Sequence, residues 1–431
     1  MQTSNFVLTP SQAIAIEKMR SFYHSQERFF LLQGGAGTGK STIIWEFIRC
    51  LQQKYRKIAI AASAPTHKAV GVLEEMAGNS DKSPDYATIH RLLGLKLEAE
   101  KGTRVLREGR RSRIGKYDLV IVDEASMVSS ALWTLLQQIS QKYRTKFIFM
   151  GDIAQLPPIN ETRSPIFDLS EQFSLTEVVR QAQDNPVMEF ISAARAKVFD
   201  RHITLPQKSQ YTCNKEHGAW ILQRSQWFAQ LIRAFQSPKY EQNSNYIRAI
   251  AWTNREVDSI NTQVRNALYD PKTPFLEGER LIAKEAIHDP LDGDIVLPSC
   301  AEVTVINPPH FQTSPDGIDY WRLRVEDEED IYRFKVPDPS ARSKIDRHLK
   351  YLAEKAQQRK GKNAWGEYWD FRNQWANLKP CYGITSHQSQ GSTYENAFVC
   401  DRDISRNPSI PEQHQARYVA FSRARSRLFV L

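Results

Sequence analysis

The residues best suited to chemistry begin at Gly34-Gly35-Ala36-Gly37-Thr38-Gly39-Lys40-Ser41-Thr42, which follows the apolar run Phe29 to Leu32 and precedes a helix-like stretch, Thr42 to Gln53. Glycine-rich backbone at a strand-to-helix turn can wrap its N–H groups around phosphates. Lys40 then adds a cation at the β/γ end, and the Ser41 hydroxyl suits Mg²⁺. A chance match is the bland alternative, and the strand before and helix after argue against it. A second apolar run, Leu119 to Val122, ends in Asp123-Glu124. Read on its own, that pair is a solvated strand end. Downstream of a phosphate loop, Asp123 would hold a Mg²⁺ shell while Glu124 orients and deprotonates the attacking water. A third run, Phe147 to Met150, leads into Gly151-Asp152-Ile153-Ala154-Gln155, whose Gln155 could reach a γ-phosphate or the water. Arg180 and Arg423 are candidate arginine fingers, against the general tendency of a single arginine in a basic chain to be a surface charge.

These groups need a scaffold that brings strand ends together. The runs Phe29 to Leu32, Ile58 to Ala62, Leu119 to Val122 and Phe147 to Met150 alternate with helix-like segments such as Ser130 to Lys142, the pattern of a parallel α/β sheet. A second set, Ile247 to Trp252, Ala397 to Cys400 and Leu428 to Leu431, predicts another sheet. Between its members, residues 284–380 form an insertion: β-type runs at Ala301 to Ile306, Tyr320 to Val325 and Tyr332 to Val336, then Ile345, Leu349, Leu352 and Ala356 at helical spacing. A smaller insertion, 94–114, turns at Glu100-Lys101-Gly102-Thr103 and runs through Arg104, Arg107, Arg110, Arg111 and Arg113. It reads equally well as a basic hairpin or a solvated loop.

At 431 residues the chain exceeds the roughly 100 to 200 residues usual for one domain. Lys and Arg outnumber Asp and Glu by 58 to 49, which favours a polyanionic partner. The single, scattered cysteines Cys50, Cys213, Cys300, Cys381 and Cys400 lack the paired spacing of a zinc site or disulfide framework. No stretch approaches the length of a membrane span, and Met1 to Pro10 has no secretory pattern. A soluble, cytoplasmic protein is expected.

Taken in order from Leu8-Thr9-Pro10-Ser11-Gln12 to the C-terminal residues, these motifs resemble the superfamily 1 helicases of the branch that moves 5′ to 3′. The resemblance implies two RecA-like α/β domains, 1–93 with 115–180 and 181–283 with 381–431. The hairpin 94–114 is inserted in the first, and a small β-barrel-like domain with a helical arm, 284–380, in the second. It implies ATP and Mg²⁺ bound between the two, single-stranded DNA and tailed or forked duplex as substrate, and a monomer working in replication, repair or recombination beside a single-strand-binding protein. It assigns Gln12 to adenine, Arg180 and Arg423 to the γ-phosphate, and Gly391 to the loop coupling strand to nucleotide. Strand contacts are implied for Pro65, Thr66, His67, Thr88 and His90 in the first domain, and for Trp252, Thr253, Asn254, Thr385 and His387 in the second; outside the motif each histidine would be an ordinary hydrogen-bonded loop residue. The aromatic stretch Trp365 to Trp375 looks like the family's exit from the inserted domain, with local packing as the plain alternative.

Two departures alter the expectation. Gln388 stands where His-Lys-Ser-Gln-Gly would put a lysine, and 94–114 contains no aromatic residue, so a steric wedge with basic flanks is expected instead of a stacking pin. The rival from another class is a strand-binding ATPase that remodels protein–DNA complexes without unwinding. A small-molecule kinase is disfavoured, because it has no use for two arginine-bearing sheets.

Overall fold

The computed structural model describes residues 8–77, 83–100, 103–107, 112–177, 185–271, 273–289, 295–327, 330–358 and 365–431. One compact unit consists of 1–94, 108–260 and 383–431, and the other of 95–107 and 261–382.

The first unit holds two sheets. Edge to edge, the first runs Asp85–Thr88, Ile60–Ala64, Leu119–Val122, Lys146–Gly151, Phe29–Gly34 and Gln172–Leu175, all parallel. Leu119, Val120, Ile121 and Val122 are each 0% exposed. At about 1.5–3 kcal/mol for each fully buried large aliphatic side chain, the strand that carries the acidic pair is held by its own core. Because the strands are parallel, Gly34, Val122 and Gly151 all end on one edge of the sheet, where open α/β folds bind ligands. The helix Pro10–His24 starts with a capping box: Thr9 accepts from the Gln12 N–H while the Gln12 side chain accepts from the Thr9 N–H.

The second sheet runs Gly383–Thr385, Ile247–Ala251, Tyr394–Val399, Ala424–Val430 and Gly218–Ile221 in parallel, with Gln210–Tyr211 antiparallel at its edge. Helices Val187–Phe199 and Ile410–Phe421 belong to this half of the unit and pack on each other. The α/β class with two parallel sheets is as the motifs implied. The strand at Ile60–Ala64 is displaced two residues from the apolar run expected at 58–62, because Ser63 and Ala64, although small, are completely buried.

In the second unit, Arg280–Ala283 pairs antiparallel with Glu302–Val305 and Leu378–Pro380, so the inserted sheet begins before residue 284. Asp319–Glu326 is its longest strand, flanked by His310–Thr313 and Ile331–Pro337. The arm is the helix Arg342–Gln358, followed by Gly366–Asn373. Phe371, Tyr368 and Trp375 pack with Ile318, Ala341, Ile345 and Leu352, so this part of the aromatic stretch is a core. The smaller insertion is a hairpin, paired from Lys96↔Arg107 to Glu100↔Thr103, and it groups with the inserted sheet in the second unit.

Candidate nucleotide site and strand-contacting loops

The phosphate loop joins Phe29–Gly34 to the helix Lys40–Lys54. Lys40 Nζ turns back on the loop, donating to the carbonyls of Gly34 (2.7 Å) and Gly35 (3.1 Å). Thr38 closes the turn by donating to Gly35 O at 2.9 Å. Ala36, Gly37, Gly39, Ser41 and Thr42 complete the loop and the first helical turn. Gln12, implied for adenine recognition, is 1% exposed, and its Nε2 donates to Thr38 O at 3.3 Å. The side chain therefore ties the first helix to the loop, whatever else it contacts.

On the same sheet edge, Glu124 has φ 51° and ψ 45°, a left-handed conformation that a non-glycine residue keeps only where its surroundings enforce it. Burial and the neighbouring Glu124 carboxylate push the Asp123 carboxyl above its ordinary value, against the opposing pull of its hydrogen bond from the Glu124 N–H, Lys40 and Arg423. Gln155 accepts from the Ser126 hydroxyl at 3.4 Å. Arg423 comes from the second half of the unit, just past the helix Ile410–Phe421. It is 6% exposed and donates to the carbonyls of Val419, Ser389 and Ser392, while its Nη1 stands 3.8 Å from Glu124 Oε1. Arg180 lies outside the described residues.

The loop 386–392 also crosses to the first sheet. Gln390 Nε2 donates to Leu156 O at 3.1 Å and Ser126 Oγ at 3.5 Å. Gly391 has φ 73°, and a Cβ there would meet Ala69 Cβ at 2.8 Å, with Thr66 Oγ1 and Glu124 Cγ next nearest. Only glycine supplies both that backbone and that closeness.

The motifs assign no role to three residues of this site. Asp152, 1% exposed, accepts from Arg195 Nε (3.1 Å) and Nη2 (3.0 Å) and from the Tyr418 hydroxyl, and that hydroxyl in turn accepts from the Ala36 N–H at 3.0 Å. A Cβ on Gly35 would fall 2.7 Å from Arg195 Nε, so the guanidinium lies directly against the phosphate loop. Burial beside the Asp152 carboxylate holds the Tyr418 phenol well above its ordinary value, keeping it a neutral donor. Asp152 sits inside a stretch already singled out, whereas Tyr418 is on the helix Ile410–Phe421 and Arg195 on Val187–Phe199.

The implied strand-contacting residues occupy loops at the ends of strands. Trp252 and Thr253 follow Ile247–Ala251, and their N–H groups both donate to the buried Asp403 (2.9 and 2.8 Å), which also accepts from the Thr253 hydroxyl. Asn254 begins the next helix and is exposed. On the adjacent strand, Thr385 is 7% exposed and accepts from the Gln388 N–H, while Gln388 Oε1 accepts from the Thr385 N–H. Gln388 thus caps this turn with an amide. His387 is half-buried, and burial pulls its imidazole below its ordinary value against the attraction of Glu412. In the first sheet, Thr66 accepts from the Ala69 N–H, and Pro65 is half-buried beside it. His67 opens the following helix. Thr88, 5% exposed, caps a short helix by accepting from Arg91 N–H, and His90 lies in that helix.

Residues 18–161 match the AAA domain family, and residues 380–431 match the UvrD-like helicase C-terminal domain family. Together with the phosphate loop, the acidic pair and the arginine facing it, these matches mark an ATP-hydrolysing enzyme that resembles the superfamily 1 helicases. The chain resembles the ATP-dependent DNA helicase dda of Enterobacteria phage T4, at 24% identity over 98% of each chain. The ATP-dependent RecD2 DNA helicase of Deinococcus radiodurans is 32% identical over 42% of this chain and 23% of its own length. A structure of Pif1 helicase from Bacteroides in complex with ADP-AlF3 and ssDNA aligns over 99% of this chain and 92% of that one, with 16% identity and a TM-score of 0.49. Among the described residues no helix is long and apolar enough to cross a membrane.

Proposed function

We propose that the protein is an ATP-dependent DNA helicase that translocates 5′ to 3′ on single-stranded DNA. The observation that carries this reading is Arg423, which reaches Glu124 from the other half of the cleft at 3.8 Å. In this account 1–93 with 115–180 and 181–283 with 381–431 are the two motor domains, 94–114 is a strand-splitting wedge, and 284–380 is an accessory domain. The loop from Gly34 to Thr42 cradles the phosphates, Lys40 balances their charge, and Gln12 borders the base. Glu124 takes a proton from the attacking water as its oxygen bonds to the γ-phosphorus, and ADP leaves with the bridging oxygen. Gln155 orients that water, and Arg423 with Arg180 balances the charge developing on the γ-phosphoryl group. Ser41 and Asp123 supply hard oxygen donors fitted to Mg²⁺, a cation commonly held by one or two protein groups plus phosphates. When bound, Mg²⁺ would neutralise phosphate charge.

The strand would lie on Pro65, Thr66, His67, Thr88 and His90 of one domain and on Trp252, Thr253, Asn254, Thr385 and His387 of the other. Gly391, on the loop that carries Thr385 and His387, is pressed against Ala69 with Thr66 and the Glu124 side chain next nearest, so this loop links the grip on DNA to the neighbourhood of the catalytic carboxylate. ATPase rates with and without an oligo-dT strand test the coupling. Stimulation by the strand is expected, with strand affinity falling steeply as salt rises. Replacing 98–105 by Gly-Ser should lower duplex unwinding and spare this stimulation. Equal ATPase rates with and without the strand would contradict a DNA motor.

A further inference from the structure

The inserted sheet carries a cationic face that neither the nucleotide site nor the strand-contacting loops use. Along Asp319–Glu326, alternate side chains point to opposite faces. Leu323 and Val325 fill the core, and Arg322 and Arg324 are exposed on the other side. The pairing register sets Arg322 between His310 on one neighbouring strand and Lys335 on the other, and it sets Arg324 directly opposite Arg333. His310 and Arg333 are exposed, and Lys335 lies half-buried over the Tyr320 ring. Directly opposed like charges destabilise a sheet, so Arg324 opposite Arg333 and Arg322 opposite Lys335 work against this fold. The cost is not offset locally: among the described residues no ion pair joins Arg322, Arg324 or Arg333 to any acid, Glu326 on the same face included.

We propose that this face, built from His310, Arg322, Arg324, Arg333 and Lys335, is a second DNA-binding surface that takes the phosphate backbone of a duplex. It rests on the reading of the chain as a DNA motor. Adjacent strands about 4.8 Å apart, with same-face residues about 7 Å apart along each, make a flat cationic grid that suits a regular row of phosphates. A single-strand site stacks bases on aromatic rings. Here the aromatic of the strand, Tyr320, is 6% exposed, lying beneath Lys335 and against the ring of Trp375, which belongs to the core of the helical arm, while Phe311 and Trp321 alternate to the opposite side. The surface therefore offers charge without stacking, as duplex recognition through the backbone requires.

The test compares the full chain with its R322Q/R324Q/R333Q variant, measuring fluorescence anisotropy with a blunt DNA hairpin duplex and with oligo-dT over a salt series. Duplex affinity should fall about tenfold or more, and its salt slope should drop by about 2 to 3, close to 0.9 for each phosphate that is no longer neutralised. Affinity for oligo-dT and its stimulation of the ATPase should stay as in the parent. The R322K/R324K/R333K variant keeps the charges and should restore the slope, which separates charge from any effect on folding. An unchanged duplex slope in the glutamine variant, or equal losses for duplex and oligo-dT, would overturn the proposal. Failure of the motor reading is read separately, as a parental ATPase that oligo-dT does not stimulate.

Discussion

Glu124→Gln is expected to leave a protein that binds ATP and scarcely hydrolyses it. The change removes one proton acceptor and keeps the size of the side chain, so the left-handed backbone at 124 and the phosphate loop should persist. Loss of a general base costs about 10²- to 10⁴-fold in rate. Steady-state ATPase in the presence of oligo-dT should fall within that range, while the dissociation constant for ATP stays within a few fold of the parent. Lys40→Ala should fail differently. Lys40 is the cation of the loop, already turned toward its carbonyls, and its loss should raise the dissociation constant and abolish turnover together. Near-normal turnover by Glu124→Gln would remove Glu124 from the role of base.

Arg423→Ala should cost about a thousandfold in DNA-stimulated ATPase, the lower end of the range for arginine fingers. Binding of ATP should remain, since the hydrogen bonds of the side chain do not go to the phosphate loop. A structural role competes with this one, because the guanidinium also donates to the carbonyls of Ser389 and Ser392. Arg423→Lys decides between them: a lysine retains charge but not the fork. If melting temperature falls in both variants while the rate of each folded enzyme is unchanged, Arg423 is scaffold alone.

The site is legible in the sequence wherever chemistry is written in consecutive residues. The phosphate loop and Asp123-Glu124 stand at the ends of runs buried on both faces, and such runs read as near-continuous apolar sequence. Arg195 is invisible for the opposite reason. Its partners are Asp152 and Gly35, brought near only by folding, and its own helix reads as an ordinary amphipathic segment. Gln388 reads as a missing charge, and its function as a cap on Thr385 depends on a turn geometry that composition does not state. The strands Gln172–Leu175 and Gly383–Thr385 carry little signal because each is short and gains its burial from neighbours distant in sequence. The helical arm is readable from Ile345, Leu352 and Ala356, whose spacing alone puts them on one face.

The most direct test of the central claim is strand displacement on two partial duplexes, one with a 5′ and one with a 3′ single-stranded tail, in the presence of ATP. A motor that closes its cleft on the γ-phosphate and moves 5′ to 3′ along DNA should release the labelled strand from the 5′-tailed duplex. It should leave the 3′-tailed one paired, and Glu124→Gln should release neither. Release from neither duplex by a parental enzyme whose ATPase responds to oligo-dT would contradict the helicase account and leave a strand-binding ATPase that does not unwind.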